Sequence, residues 1–209
     1  MRKVALITFL IVLIDQVVKI YVKTTMYIGQ EGFDLGFFKA HFIENDGMAF
    51  GFELPFTGGK IVLGLLRIAA IVGITLYVRK LLTKQAPFGL LIAISCVLAG
   101  AIGNVIDGAF YGMIFSESYG EVAQFLPAEG GYSTFMKGQV VDMLEFTFNF
   151  PEWFPFWGGK QAFPFIFNIA DAAISIGIVV ILVWYRGFFK APSTMQTVSV
   201  VEENSQEEE

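Results

Sequence analysis

The chain is 209 residues long, 55% hydrophobic and 16% aromatic, and only 16% of its residues are charged. That balance lies outside the range of soluble globular domains, and the apolar residues fall in blocks long enough to cross a bilayer. The net charge of -5 draws heavily on the acidic end Glu202, Glu203, Glu207, Glu208 and Glu209, and the 14 basic residues are scattered, so no basic cluster exists to neutralise a nucleic-acid backbone. A single cysteine, Cys96, inside an apolar run excludes an intramolecular disulfide and a thiolate metal cluster, and reads as a small buried hydrophobe. A single histidine, His41, excludes a two-histidine zinc site and reads as an ordinary loop residue.

In chain order, spans are predicted at about 4–22, 61–78, 88–106 and 165–185. The first follows Arg2 and Lys3 and resembles a signal peptide as far as Asp15, where Asp-Gln-Val-Val-Lys stands in place of a small-residue cleavage site; it is read as a retained helix. Arg2 and Lys3, then Arg79, Lys80 and Lys84, then Arg186 and Lys190 flank the spans on one side, which the positive-inside rule makes cytoplasmic. Four spans put both termini on that side and leave loops 24–59 and 107–164 outside.

Those outer loops hold most of the non-membrane mass. Phe33 to Phe42 is aromatic-rich and bounded by glycines, and Phe146, Phe148 and Phe150 alternate with Thr147 and Asn149 as on a strand, so a small sheet lying on the membrane is expected. Trp153, Phe154, Phe156, Trp157 and Phe163, broken by prolines, suit anchoring at the bilayer interface. The stretch Ser116 to Gly138 reads as an inserted surface loop, and 191–209 as a disordered acidic cytoplasmic tail. The fold class is therefore an all-α polytopic membrane protein, with four transmembrane helices and a small β-sheet-containing extracytoplasmic region, in a single domain over 1–190.

Polar residues inside spans are costly, so each needs a partner or a task. Asp15 and Lys19 are four apart on one helix face and can pair. Arg67 has no obvious partner in its own helix. Asn104 and Asp107 follow Gly100 and Gly103, whose missing side chains let another helix approach closely. Asn168 and Asp171 follow Pro164, and Asp142 follows Val140 and Val141. Carboxylates gathered at one membrane face without histidine or cysteine fit two chemistries: cation binding by oxygen ligands, or hydrolysis by a carboxylate pair sharing one proton. Spacing does not separate them. A cation path through Asp15, Asp107 and Asp171 in a small transporter, and a scaffold joined by polar hydrogen bonds, are the competing readings.

Five motifs in order resemble those of the lipoprotein signal peptidase, or signal peptidase II, family, over nearly the whole chain. They are Asp15 to Lys19, Glu44-Asn-Asp-Gly-Met-Ala-Phe-Gly51, Ala99-Gly-Ala-Ile-Gly-Asn-Val-Ile-Asp107, Val140-Val-Asp142 and Phe167-Asn-Ile-Ala-Asp171. The resemblance implies an aspartic endopeptidase with Asp142 and Asp171 as catalytic dyad and no metal or other cofactor. It implies that Asp15, Lys19, Asn45, Gly47, Asn104, Asp107 and Asn168 support the dyad or hold substrate. Its substrates would be prolipoproteins with a lipid-modified cysteine, cut on the amino side of that cysteine. It further implies a monomer among membrane lipids in the inner membrane, open to cyclic-peptide inhibitors such as globomycin. The sequence departs from the family pattern at Gly108, where the family has Arg, and at the lengthened segment 116–138; Lys137 and Arg67 are the basic residues that could substitute for that Arg.

Overall fold

A computed structural model of the protein describes residues 1–46 and 58–189. Gly47, with the rest of its loop motif, and the tail expected over 191–209 lie outside the described residues. Among the described residues, four helices are long and apolar enough to cross a membrane: α1 (Arg2–Thr25), α2 (Gly59–Thr83), α3 (Phe88–Ile114) and α4 (Ile169–Phe188). In α1 the buried residues Val4, Thr8, Asp15, Lys19, Val22 and Lys23 recur at three- and four-residue steps and form one stripe. Leu6, Phe9, Leu10, Leu13 and Val17 point outward. Charges inside and hydrocarbon outside is the inverse of a water-soluble helix, as lipid solvent demands.

Helix α3 is central, touching α1, α2 and α4, while α2 packs chiefly against α3. The α3–α4 contact depends on small residues. A Cβ on Gly100 would collide with the Ala170 carbonyl oxygen and lie 2.6 Å from Ile174 Cγ1, and one on Gly177 would lie 2.5 Å from the Ala93 carbonyl oxygen. A Cβ on Gly103 would lie 2.6 Å from Asp15 Oδ2, so this glycine also brings α1 close. Within α3, residues Asp107–Tyr111 form a π-helical turn, a local widening that recurs at functional sites.

Strands β1 (Glu31–Asp34), β2 (Phe38–Asn45), β3 (Val140–Phe146) and β4 (Ile166–Phe167) make one antiparallel sheet in chain order at one end of the bundle. The register sets Ile43 opposite Asp142 and Asn45 opposite Val140, with a bulge between Ala40 and Ile43; Leu144 faces Phe167. β4 then runs straight into α4. This helix opens at Ile169 rather than at about 165, because Ile166 and Phe167 pair with β3 and Asn168 is the cap. Phe148 and Phe150, expected on the same strand as Phe146, lie beyond β3. Their backbones pair instead with Ala162 and Lys160 in a separate excursion that starts near Pro151, a residue unable to donate to a ladder. His41 is a strand residue, not a loop one: its Nδ1 sits 2.7 Å from Glu145 Oε2 across β2 and β3.

Segment 115–138, whose role composition left open, runs back along the end of α3. The amides of Gly138, Met136, Ser133 and Tyr132 donate to the carbonyls of Gly108, Ala109, Gly112 and Phe115 at 2.7 to 3.2 Å. Helix ends leave carbonyls such as that of Gly112 without intrahelical donors, and here a backbone segment supplies one. Side chains fasten it too: Lys23 pairs with Glu44 and donates to Ser118 Oγ at 2.9 Å, with its ammonium over the rings of Tyr132 and Phe115. An apolar cluster of Val22, Met26, Phe42, Tyr111, Phe115, Val141 and Met143 joins sheet, segment and bundle. A second cluster, around Val4, Val78, Leu81, Leu90 and Ile94, closes the opposite end.

Candidate active site

Between the two clusters lies a polar layer assembled by elements distant in sequence. Asp142 projects from β3 and is 1% exposed. Its Oδ2 accepts from Asn45 Nδ2 at 3.1 Å and its Oδ1 from Asn168 Nδ2 at 2.7 Å. Asp171 stands in the first turn of α4, where Asn168 forms a capping box. The Asn168 side-chain oxygen accepts from the Asp171 amide at 2.9 Å, and the Asp171 carboxylate accepts from the Asn168 amide at 3.4 Å. Asn104 Nδ2 from α3 donates to Asp171 Oδ1 at 2.8 Å, and Asn168 Nδ2 reaches Asn104 Oδ1 at 3.2 Å. Asn168 thus serves both carboxylates, its amide nitrogen on Asp142 and its oxygen on the backbone of Asp171.

Beneath this pair lies a buried ion network. Lys19 Nζ is 3.0 Å from Asp15 Oδ2, 2.7 Å from Asp107 Oδ2 and 2.9 Å from Asn104 Oδ1, with all three charged side chains at most 1% exposed. The ammonium sits between the two carboxylates. Asp15 Oδ1 also accepts from the Ala170 amide at 2.9 Å, and Asp107 Oδ2 from the Val141 amide at 3.4 Å. These carboxylates therefore hold the backbone next to each upper aspartate. Gln16, to which sequence reasoning gave no role, donates to Asp107 Oδ1 at 2.8 Å and accepts from Tyr111 at 3.2 Å. The available signals were its place inside the Asp15 to Lys19 motif and the four-residue step from Asp107 to Tyr111.

Of the residues singled out from sequence, Asp142, Asp171, Asn45, Asn104 and Asn168 are in direct contact. Asp15, Lys19 and Asp107 lie one layer below and reach them through Asn104 and the backbone. Among the described residues, no three His, Cys, Asp or Glu side chains come together in a way that could hold a metal ion. Burial, with the negative charge of Asp171 nearby, pushes Asp142 up to about 7 against the opposing pull of the Asn45 and Asn168 amides. A buried carboxyl that holds its proton near neutrality, beside a more exposed carboxylate, can give and take a proton within one reaction.

Fold and site together define a multi-pass membrane protein with two coupled carboxyl groups at the junction of a helix bundle and a sheet. The family model for signal peptidase (SPase) II matches residues 7–186. The chain is similar to the lipoprotein signal peptidase of Porphyromonas gingivalis, at 47% identity over 88% of this chain and 83% of that protein. It is also similar to that of Amoebophilus asiaticus, at 35% identity over 89% and 78%. A solved bacterial membrane enzyme, determined by the in meso method, shares the fold with a TM-score of 0.60 at 25% identity, over 92% of this chain and 96% of that one. The chain belongs to the signal peptidase II family, and so to the peptidases.

Proposed function

We propose that this protein is an aspartic endopeptidase that removes the signal peptide from diacylglyceryl-modified prolipoproteins, cutting on the amino side of the lipobox cysteine with Asp142 and Asp171 as its dyad. The observation that carries the reading is the asymmetry of the pair. Asp142 is buried and retains a proton to about 7, while Asp171 is partly exposed, and Asn168 fixes one against the other. Asp171 takes a proton from a water as its oxygen attacks the scissile carbonyl, and Asp142 gives its proton to the carbonyl oxygen. The tetrahedral intermediate then collapses as the C–N bond breaks. The proton on Asp171 passes to the leaving amine, and Asp142 recovers its own from the hydroxyl that becomes the new carboxyl group. No metal or other cofactor takes part.

The layout supports a site at the outer face of the inner membrane with both termini cytoplasmic: Arg2, Lys3, Arg79, Lys80 and Arg186 lie at the bundle end away from the sheet. A bond at the membrane boundary is cut while the substrate's acyl chains stay in lipid beside the helices. The enzyme works as a monomer, and a cyclic peptide such as globomycin competes for the site. The test is cleavage of a diacylglyceryl-modified prolipoprotein by wild type, Asp142→Asn and Asp171→Asn with chelator present, folding being checked by thermal melting. Activity of the wild type alone supports the reading. Cleavage by either folded variant refutes the dyad, and an inactive wild type returns the transporter and scaffold readings.

A further inference from the structure

Arg67 lies eight residues into α2, roughly 12 Å along the helix from its start. The residues Lys60, Leu63, Gly64 and Arg67 follow a three- and four-residue step, and all four line one cleft between α2 and α3. Arg67 therefore belongs to the helix-facing stripe of α2 rather than to the lipid face that carries Leu65 and Leu66. The cleft is open to the outside, and its opposite wall is Asn104, Gly108, Gly138 and Val140. Asn104 is the residue that donates to Asp171, so the cleft adjoins the dyad directly. Asp171, Asp107 and Asp142 lie near enough for their charges to act on Arg67.

We propose that this cleft is a substrate subsite in which the Arg67 guanidinium donates to a backbone carbonyl oxygen of the signal peptide beside the scissile bond; this rests on the peptidase reading above. A neutral carbonyl dipole suits the place. The nearby charge of Asp171 disfavours an anionic ligand. Glycine at 108 leaves that wall of the cleft open: a Cβ there meets nothing within 4 Å among the described residues. A larger side chain at 108 consequently finds room at its Cβ, and is expected to obstruct the subsite while sparing the fold. Arg67 acts on binding and position, and the proton transfers remain with Asp142 and Asp171.

The experiment is steady-state cleavage of a lipopeptide substrate by wild type, Arg67→Ala, Arg67→Lys and Gly108→Leu, with melting curves and pH profiles for each. Arg67→Ala and Gly108→Leu are expected to raise KM by about tenfold or more with kcat held within about threefold, and Arg67→Lys, which keeps the charge but loses the planar fork, to fall between. Wild-type KM in folded Arg67→Ala or in Gly108→Leu overturns the proposal. So does an Arg67→Ala effect confined to the pH profile, which would make the guanidinium only a neutralising charge. If Arg67→Ala does not fold, Arg67→Lys and Gly108→Leu decide by the same criterion. An inactive wild type overturns the peptidase reading itself, and the subsite with it.

Discussion

If Asp142 is the proton donor, the protein's activity must fail on the alkaline side of neutrality, in contrast to an enzyme whose acid titrates near an ordinary carboxyl value. Burial and the Asp171 charge hold Asp142 at about 7, so kcat/KM should fall roughly tenfold for each pH unit above that point. The structure also says how to move the limb. Asn45 donates to Asp142 at 3.1 Å and so stabilises the ionised form. Replacing it by leucine removes that donor, disfavours ionisation, raises the Asp142 value further and shifts the limb to higher pH. A hydrogen bond to a charged group is worth about 1.5–3 kcal/mol, which at 1.36 kcal/mol per unit is a displacement of about one to two units. The assay is lipopeptide cleavage from about pH 5.5 to 9 in lipid bicelles, with the carboxyl carbon of Asp142 followed by NMR across the same range. A profile that stays flat to the alkaline end, or an Asn45→Leu limb displaced to lower pH, refutes the assignment.

Lys19→Met leaves Asp15 and Asp107 facing each other without their cation, and should cost about 3–5 kcal/mol, seen as a lowered melting temperature and poor yield in detergent. Adding Asp15→Asn and Asp107→Asn to it should recover much of that loss; a single variant as stable as wild type would contradict the network. Gly100→Val drives a side chain into the Ala170 carbonyl and Ile174, so the α3–α4 seam should open and the melting temperature drop, by overpacking worth about 1–3 kcal/mol or more. Lys23→Met strands Glu44 and removes the donor to Ser118, and hydrogen exchange over 116–138 should accelerate while exchange in the middle of α3 stays as in wild type.

How much of this was legible beforehand depended on how local each contact is. The Asp15–Lys19 pair follows from a four-residue step, and the close helix approach at Gly100 and Gly103 from the absence of side chains. Both need only one helix to be known. That Asp107 would be the second partner of Lys19 depends on how α3 packs on α1, and no spacing along the chain encodes it. The same holds for Lys23, Glu44 and Ser118, which come from a helix, a strand and the inserted segment. Alternation of Phe146, Phe148 and Phe150 indicates extended chain but not its partner, and the pairing passes from the sheet to residues 160–162. The capping of α3 by segment 115–138 was invisible for another reason: backbone amides make it, so its side chains carry no sign of it.

The stripe of charge on α1 bears on how the protein enters its membrane. As the chain is made, α1 must meet hydrocarbon long before Asp107 exists to share Lys19. Because Asp15 lies one turn away, the helix brings its own counterion and crosses as a near-neutral dipole, with Gln16 alongside to donate to Asp15. When α3 arrives, the ammonium is already fixed in place and becomes the template on which Asp107 and Asn104 settle. The residue that makes the first helix tolerable to lipid is thus also the one that recruits the third, so membrane insertion and assembly of the site are successive uses of the same charge.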